Sequence, residues 1–319
     1  MIWSYFLIFV VSCVVLVRSG TWIVQSLTRI AQFLKWKEFI VSAILMAFAT
    51  SIPELFIGIT SAFHQKPQLS FGDVIGSNII ALTLVLGIGA ILTKGLKFEG
   101  KILQKSSLYV AIIALLPLLL MLDGRVSRID GLFLFLVLIF YFHHLLSQQE
   151  RFTKVFVNSF RRDWTHLKIF LKDLGVFFWG VILLLLSAEG IIFSSSKLAE
   201  EFNISLVVIG VFLVALGTSL PEIAFGIRSI VMGHREMILG NVMGSVVINS
   251  TLILGLTALI CPFEIHNFSP YLAGIIFTVA TALFFTVFLR TQNTISRKEA
   301  ISLISIYIAF IFFEIIGQI

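Results

Sequence analysis

Charge is what this sequence has least of. Only 13% of its 319 residues are Asp, Glu, Lys or Arg, about half the share a soluble domain carries. With 58% hydrophobic residues, a water-soluble fold could not cover its core, so a compact cytosolic enzyme is excluded. Long apolar runs exclude a disordered chain and a nucleic-acid-binding one. Cysteine is nearly absent: Cys13 and Cys261 sit in or beside apolar runs and cannot supply a disulfide framework, so both read as packing residues. The six histidines are scattered, without an HExxH pair or a nucleophile–base constellation, which speaks against an intramembrane hydrolase and for a protein that is not an enzyme.

What is present is a series of apolar segments. About 20 mostly apolar residues are needed to cross a bilayer, and ten stretches qualify: 3–32, 38–63, 71–93, 104–122, 130–147, 169–197, 204–232, 237–260, 269–289 and 299–317. The fold class expected is an all-α polytopic membrane protein. Met1 to Leu16 holds no basic residue, so the first segment reads as a retained span rather than a cleaved signal. Assigning basic residues to alternating loops puts 17 on one side and four on the other. The positive-inside rule then places both termini outside and the basic 148–168 loop in the cytoplasm of a cell-membrane protein. The net charge of +6 therefore reports orientation and contact with membrane lipids, not a nucleic-acid partner. The sequence identifies no protein partner.

Residues 47–87 and 215–255 align without a gap at an offset of 168, with 17 identities in 41 positions. Five spans in each copy, an odd number, require the second to enter the membrane upside down. The chain thus divides into a first five-helix repeat (1–147), the loop, and a second repeat (169–319), together ten transmembrane helices in two inverted-topology repeats. Such repeats mark secondary transporters, whose sites form at mid-membrane between the copies. Each copy carries Thr-Ser-x-Pro-Glu in mid-span, Thr50 to Glu54 and Thr218 to Glu222. The prolines deprive the carbonyls of Ala49 and Gly217 of their helical partners. Glu54 shares a helix face with Thr50 and Ser51, as Glu222 does with Thr218 and Ser219. A carboxylate at mid-bilayer costs at least about 2.5–3.5 kcal/mol, and a cation between two of them offsets that cost. All-oxygen donors suit Na⁺, Ca²⁺ or Mg²⁺.

A second half-motif follows in each copy. Gly72/Gly76 and Gly240/Gly244 have the spacing for close helix approach, Ser77 and Ser245 add hydroxyls, and Asp73 and Asn241 read as helix caps. Arg18 and Glu189 are expected to pair between the first and sixth spans, while Arg228 and Glu314 are close enough to span ends to snorkel.

These motifs resemble the α-1 and α-2 repeats of the sodium/calcium exchanger family, within the cation/Ca²⁺ antiporter superfamily, in its prokaryotic form without a large regulatory loop. The resemblance implies an eight-helix core with two long tilted helices, 3–32 and 169–197, outside it as a mobile gate. It implies Glu54 and Glu222 as paired Ca²⁺ ligands, with the carbonyls of Thr50 and Thr218. Ser51, Ser77, Ser219 and Ser245, with the carbonyls of Ala47 and Ala215, are implied as flanking Na⁺ ligands. Where the family commonly places Asn and Asp, four residues after the second-motif Ser, this chain has Ala81 and Asn249. Asn249 offers a neutral amide oxygen and Ala81 nothing, so two carboxylates are expected at the centre. The function implied is exchange of Na⁺ for Ca²⁺ by alternating access, with no cofactor. The alternative is a proton-coupled cation antiporter, since two adjoining carboxylates can share a proton.

Overall fold

The computed structural model describes residues 2–33, 46–97, 101–147, 164–231, 235–292 and 294–316. Most of the 148–168 loop and the start of the expected second span therefore lie outside the described residues. What is described is almost entirely helical. In chain order the helices are α1 (Ile2–Phe33), α2 (Met46–Thr50), α3 (Ile52–Phe63), α4 (Pro67–Ile80), α5 (Leu86–Leu92), α6 (Lys101–Leu120), α7 (Arg128–Ser147) and α8 (Trp164–Phe202). Then come α9 (Leu206–Ile209), α10 (Ala215–Thr218), α11 (Leu220–Val231), α12 (Arg235–Ile248), α13 (Leu254–Ile260), α14 (Leu272–Gln292) and α15 (Arg297–Ile316). Four two-residue strands, β1 (Leu96–Lys97), β2 (Arg125–Val126), β3 (Phe263–Glu264) and β4 (Thr294–Ile295), lie between them.

Six segments of described helix are long and apolar enough to cross a membrane: 2–23, 67–92, 171–202, 206–231, 238–260 and 269–290. They coincide with six of the ten expected spans, and α3, α6, α7 and α15 lie where the other four are expected. The molecule is apolar on its outer faces as well as in its core, with a set of polar groups held inside. Its outward faces carry Trp3, Leu136, Leu186, Leu283 and Phe312, all more than half exposed. Its interior holds Ser, Thr, Asn and three carboxylates on α3, α4 and α11. Polar groups turned inward and apolar groups turned outward suit a hydrocarbon solvent.

The helix breaks fall where proline dictates. Pro53 and Pro221 lie in the first turns of α3 and α11, where a missing N–H costs nothing, so the preceding helices stop one residue earlier. Ser51 separates α2 from α3, and Ser219 separates α10 from α11. Three π-helical turns, Ala81–Val85, Gly210–Val214 and Asn249–Ile253, interrupt the remaining inner helices. The first and third are again 168 residues apart. Each widens the helix where Ala81 or Asn249 stands, a distortion that clusters at functional sites.

The strands tie the copies together. β1 pairs antiparallel with β4, and β2 with β3. α6 runs from β1 to β2 and α14 from β3 to β4, each about 30 Å long at 1.5 Å per residue, so the two ribbons cap opposite ends of this helix pair. α5 ends at one ribbon, while its counterpart α13 ends at the other.

Among the described residues the backbones approach most closely between α4 and the α9 segment. A Cβ at Gly72 would strike Val207 O, one at Gly76 would strike Val211 O, and one at Gly210 would strike Leu69 O. Helix α4 therefore lies against the α9 segment with no side chain between them, as the four-residue glycine spacing implied. At Gly240 the described residues leave open space; the counterpart of Val207–Val211 falls among the residues outside the description. Gly76→Ala is expected to destabilise the protein by about 1–3 kcal/mol, since a methyl against a backbone carbonyl cannot be relieved by a rotamer change. A thermal melt of the detergent-purified variant, several degrees below wild type, would register this.

α1 and α8 form a pair on the outside of the remaining helices. At 32 and 39 residues they measure about 48 and 58 Å, well beyond a hydrocarbon core of about 30 Å, so they must tilt or protrude. The register is antiparallel: Gly180 abuts Ile23 and Ser19, while Gly190 abuts Ser12. That register overturns the expected Arg18–Glu189 pair. Arg18 stands level with residues near 183, about 9 Å along the axis from Glu189. Glu189 Oε2 instead meets His64 Nε2 at 3.2 Å, at the end of α3. Nor does Glu314 snorkel: it is 3% exposed, folded inward from α15. The Arg228 side chain lies outside the description.

Candidate cation-binding site

The two Thr-Ser-x-Pro-Glu segments converge in the interior with the middles of α4 and α12. The hydrogen bonds form two matching sets. In the first, Thr50 Oγ1 lies 3.3 Å from Ala47 O, 3.1 Å from Asn241 Oδ1 and 3.3 Å from Ser245 Oγ. In the second, Thr218 Oγ1 lies 3.3 Å from Ala215 O, 2.8 Å from Asp73 Oδ1 and 3.3 Å from Ser77 Oγ. Every partner in one set is 168 residues from its counterpart in the other. Each set draws its threonine from one repeated segment and its remaining side chains from the other, so neither copy builds a site alone. Ser219 Oγ donates to Ser77 Oγ at 3.1 Å, extending the second set, and Ser245 Oγ back-bonds to Asn241 O at 2.9 Å.

Between these sets stand Glu54 and Glu222, at 0% and 2% exposure. All four of their carboxylate oxygens lack a hydrogen-bond partner. So do Ser51 Oγ, Asn249 Oδ1 and Asp73 Oδ2. Glu54 lies near enough to feel the charges of both Glu222 and Asp73. Among the described residues no Lys or Arg is buried, so no internal cation answers these acids. Leaving such groups unpaired in a low-dielectric interior costs several kcal/mol each. The arrangement is one that a dehydrated cation completes.

Every sequence-selected residue, Ala47, Thr50, Ser51, Glu54, Ser77, Ala215, Thr218, Ser219, Glu222, Ser245 and Asn249, is buried, and the hydrogen bonds above join Ala47, Thr50 and Ser245 in one set and Ala215, Thr218, Ser77 and Ser219 in the other. The structure corrects the reading of two others. Asp73 and Asn241 are not caps; each is the seventh residue of its helix and is hydrogen-bonded to the threonine of the opposite copy. The interior therefore holds three neighbouring carboxylates, not two. The signal is in the sequence, since Asp73 precedes Ser77 by four residues and so shares its face, and Pro67 opens the helix six residues before it. Asn78 was also passed over; its Nδ2 donates to Ser250 Oγ at 2.8 Å.

Broken helices, matched halves and a buried set of hard oxygens define a membrane carrier of metal cations. The chain belongs to the sodium/calcium exchanger protein family, whose model matches residues 4–146 and 172–316. It is 28% identical to the sodium/calcium exchanger MaX1 of Methanosarcina acetivorans, the match covering 98% of each chain. It is 26% identical to the inner membrane protein YrbG of Escherichia coli, over 71% of this chain and 70% of that one. Among solved structures it resembles the sodium-calcium exchanger NCX_Mj soaked with Na⁺ and Sr²⁺, with a TM-score of 0.67 at 27% identity, covering 98% of this chain and 99% of that one. The protein is thus an integral membrane antiporter of the cation/Ca²⁺ kind.

Proposed function

We propose that this chain exchanges Na⁺ for Ca²⁺ across the cell membrane by alternating access, with Glu54 and Glu222 as the paired ligands of Ca²⁺. The observation that carries this reading is the pair of buried carboxylates, with four unpartnered oxygens, flanked by two hydroxyl clusters of matching composition. Two carboxylates neutralise one Ca²⁺ or two Na⁺, so the two cargoes compete for the same charge. The carbonyls of Thr50 and Thr218 complete the Ca²⁺ shell of 6–8 oxygens. Ser51, Ser77, Ser219 and Ser245, with the carbonyls of Ala47 and Ala215, serve Na⁺.

In this reading the ten helical regions are ten spans in two inverted repeats. The ribbons at opposite ends of α6 and α14 support the inversion, because each repeated segment ends at a different ribbon. The termini face outward and the 148–168 loop faces the cytoplasm. α1 and α8 are the moving gate: α1 adjoins the cage through Gly20 against Pro53 and Cys13 against Gly217, so its sliding bears on both helix breaks. Proton coupling is the second reading, and the neutral pair Ala81 and Asn249 favours it by leaving the centre one charged ligand short of the family pattern.

The test is ⁴⁵Ca²⁺ uptake into vesicles reconstituted with the full chain, driven in turn by an outward Na⁺ gradient and by a pH gradient. Uptake is expected with the Na⁺ gradient and not with the pH gradient. The reverse result would replace Na⁺ by H⁺, and uptake driven by neither would refute antiport through this cage.

A further inference from the structure

His64 and Glu189 face each other across the joint between α3, which carries Glu54, and α8. Their side chains are about half exposed, with His64 Nε2 3.2 Å from Glu189 Oε2. We propose that this pair is a proton-operated latch, which closes on taking up one proton from solvent and then holds the gate helices in the access state of this structure. The latch rests on the reading of α1 and α8 as the moving gate and adds a control to it.

The second ring nitrogen decides the chemistry. His64 Nδ1 lies 2.9 Å from Thr60 O, a carbonyl oxygen that can only accept, so Nδ1 holds a hydrogen. A neutral imidazole has a single N–H. With that hydrogen on Nδ1, it would turn the bare lone pair of Nε2 toward a carboxylate oxygen, and two acceptors at this separation repel. The contact is attractive only when one more proton lies between Nε2 and Oε2, which makes it imidazolium against carboxylate. Imidazole is the side chain that gains or loses such a proton between pH 5 and 8. On the alkaline side of that range the attraction turns to repulsion and α8 is freed from α3.

A second rung lies two turns along α8, where Lys66 Nζ donates to Ser196 Oγ at 2.7 Å. Glu189 and Ser196, seven residues apart, share one face about 10 Å apart. Serine is a neutral hydroxyl, so His64 is the rung that a proton changes. The other charged groups on elements packed against α3 are engaged or distant. Lys197 bonds Glu200 at 2.6 Å, and Glu201 lies about 18 Å along α8 from Glu189. Lys172 and Asp173 are about 24 Å or more away in the other direction. Arg18 of α1 stands about 9 Å off along the axis, Tyr5 of α1 packs on Phe193, and Asp73 of α4 belongs to the cage. α2, α10, α13 and the π-helical turn 249–253 carry no titratable side chain. α8 packs along the length of α1, so fastening it to α3 restrains both gate helices. In the proposed topology the latch lies at the outer face.

The experiment measures Na⁺-driven ⁴⁵Ca²⁺ uptake at about pH 8 and about pH 5.5, equal inside and outside the vesicles. It compares wild type, His64→Gln, Glu189→Gln and His64→Lys. A half-exposed ion pair is weak, so acid is expected to slow the wild type about threefold beyond the slowing common to all four proteins, which reports protons on the cage. His64→Gln and Glu189→Gln are expected to outrun the wild type about threefold in acid, a gain that misfolding cannot mimic. His64→Lys, whose cation needs no acid, is expected to be as slow at the alkaline pH as wild type is in acid. Spin labels on Phe63→Cys and Leu186→Cys, with Cys13 and Cys261 replaced by alanine, read the latch without transport. Acid is expected to gather their separations toward one value in wild type and not with His64→Gln. The latch is overturned if His64→Gln keeps the wild-type response to acid in either measurement. No Na⁺-driven uptake by wild type, with the label response present, would refute the exchange reading and uphold the latch.

Discussion

Glu54→Gln and Glu222→Gln are each expected to abolish Ca²⁺ exchange while leaving the protein folded. Glutamine keeps the length and one carbonyl oxygen of glutamate, so packing around α3 and α11 is preserved. On the proposed reading, what is lost is one of the two negative charges nearest Ca²⁺. A unit pair at 4 Å is worth about 4 kcal/mol at an effective dielectric constant of 20, and for a divalent ion the attraction doubles. Part of that returns because a neutral amide is cheaper to bury. A net loss near 4 kcal/mol corresponds to about a thousandfold in affinity. Isothermal ⁴⁵Ca²⁺ binding to the purified protein, read beside its thermal melt, separates loss of the ligand from loss of the fold. The melt should rise slightly or stay level in the cation-free protein, because each substitution removes an unpaired buried charge. Wild-type exchange in the double variant would remove Glu54 and Glu222 from the site.

The second large effect is a reversible lock. A Cβ placed on Gly217 lies 3.6 Å from Cys13 Cβ and 2.8 Å from its Sγ. Disulfides span a Cβ–Cβ distance of about 3.5–4.5 Å, so Gly217→Cys should oxidise onto native Cys13 without backbone rearrangement. The bond would fasten α1 to α10, immediately before the break at Ser219. If α1 must slide for access to alternate, oxidised Gly217→Cys should transport at less than about a tenth of its reduced rate, with dithiothreitol restoring activity. The Cys13→Ser, Gly217→Cys double variant should be indifferent to oxidant. A cross-linked protein that transports at its reduced rate would show that α1 and α10 move as one body.

Much of this was legible in the residues. The offset of 168 and the Pro-Glu pairs located the broken helices to within a turn, because proline's missing N–H acts locally. Burial of Ser51, Ser77, Ser219 and Ser245 was foreseeable for the same reason: a polar residue repeated in mid-span has no water to face. Asp73 was misread because the distinction between a cap and a mid-helix ligand depends on where the helix begins, and apolar periodicity leaves that uncertain by several residues. The Arg18–Glu189 expectation failed differently. It compared depths counted from assumed span ends, whereas the antiparallel register of α1 and α8 is fixed by Gly180 and Gly190 seating on Ile23 and Ser12. The π-helical turns left no mark in the sequence pattern, since one extra residue in a turn alters backbone pairing without changing which side chains are apolar.

The small ribbons bear on how such a molecule is assembled. Among the described residues no strand finds its partner in its own half: β1 waits for β4 and β2 for β3, so in the proposed inverted topology synthesis of the first half leaves two open strand edges, one on each side of the bilayer. Those edges close only when a second half arrives in the opposite sense. On the proposed topology, two separate polypeptides of opposite insertion would meet the same requirement. A gene cut within residues 148–163 should still yield a working carrier when both fragments are expressed together, and neither fragment should persist alone.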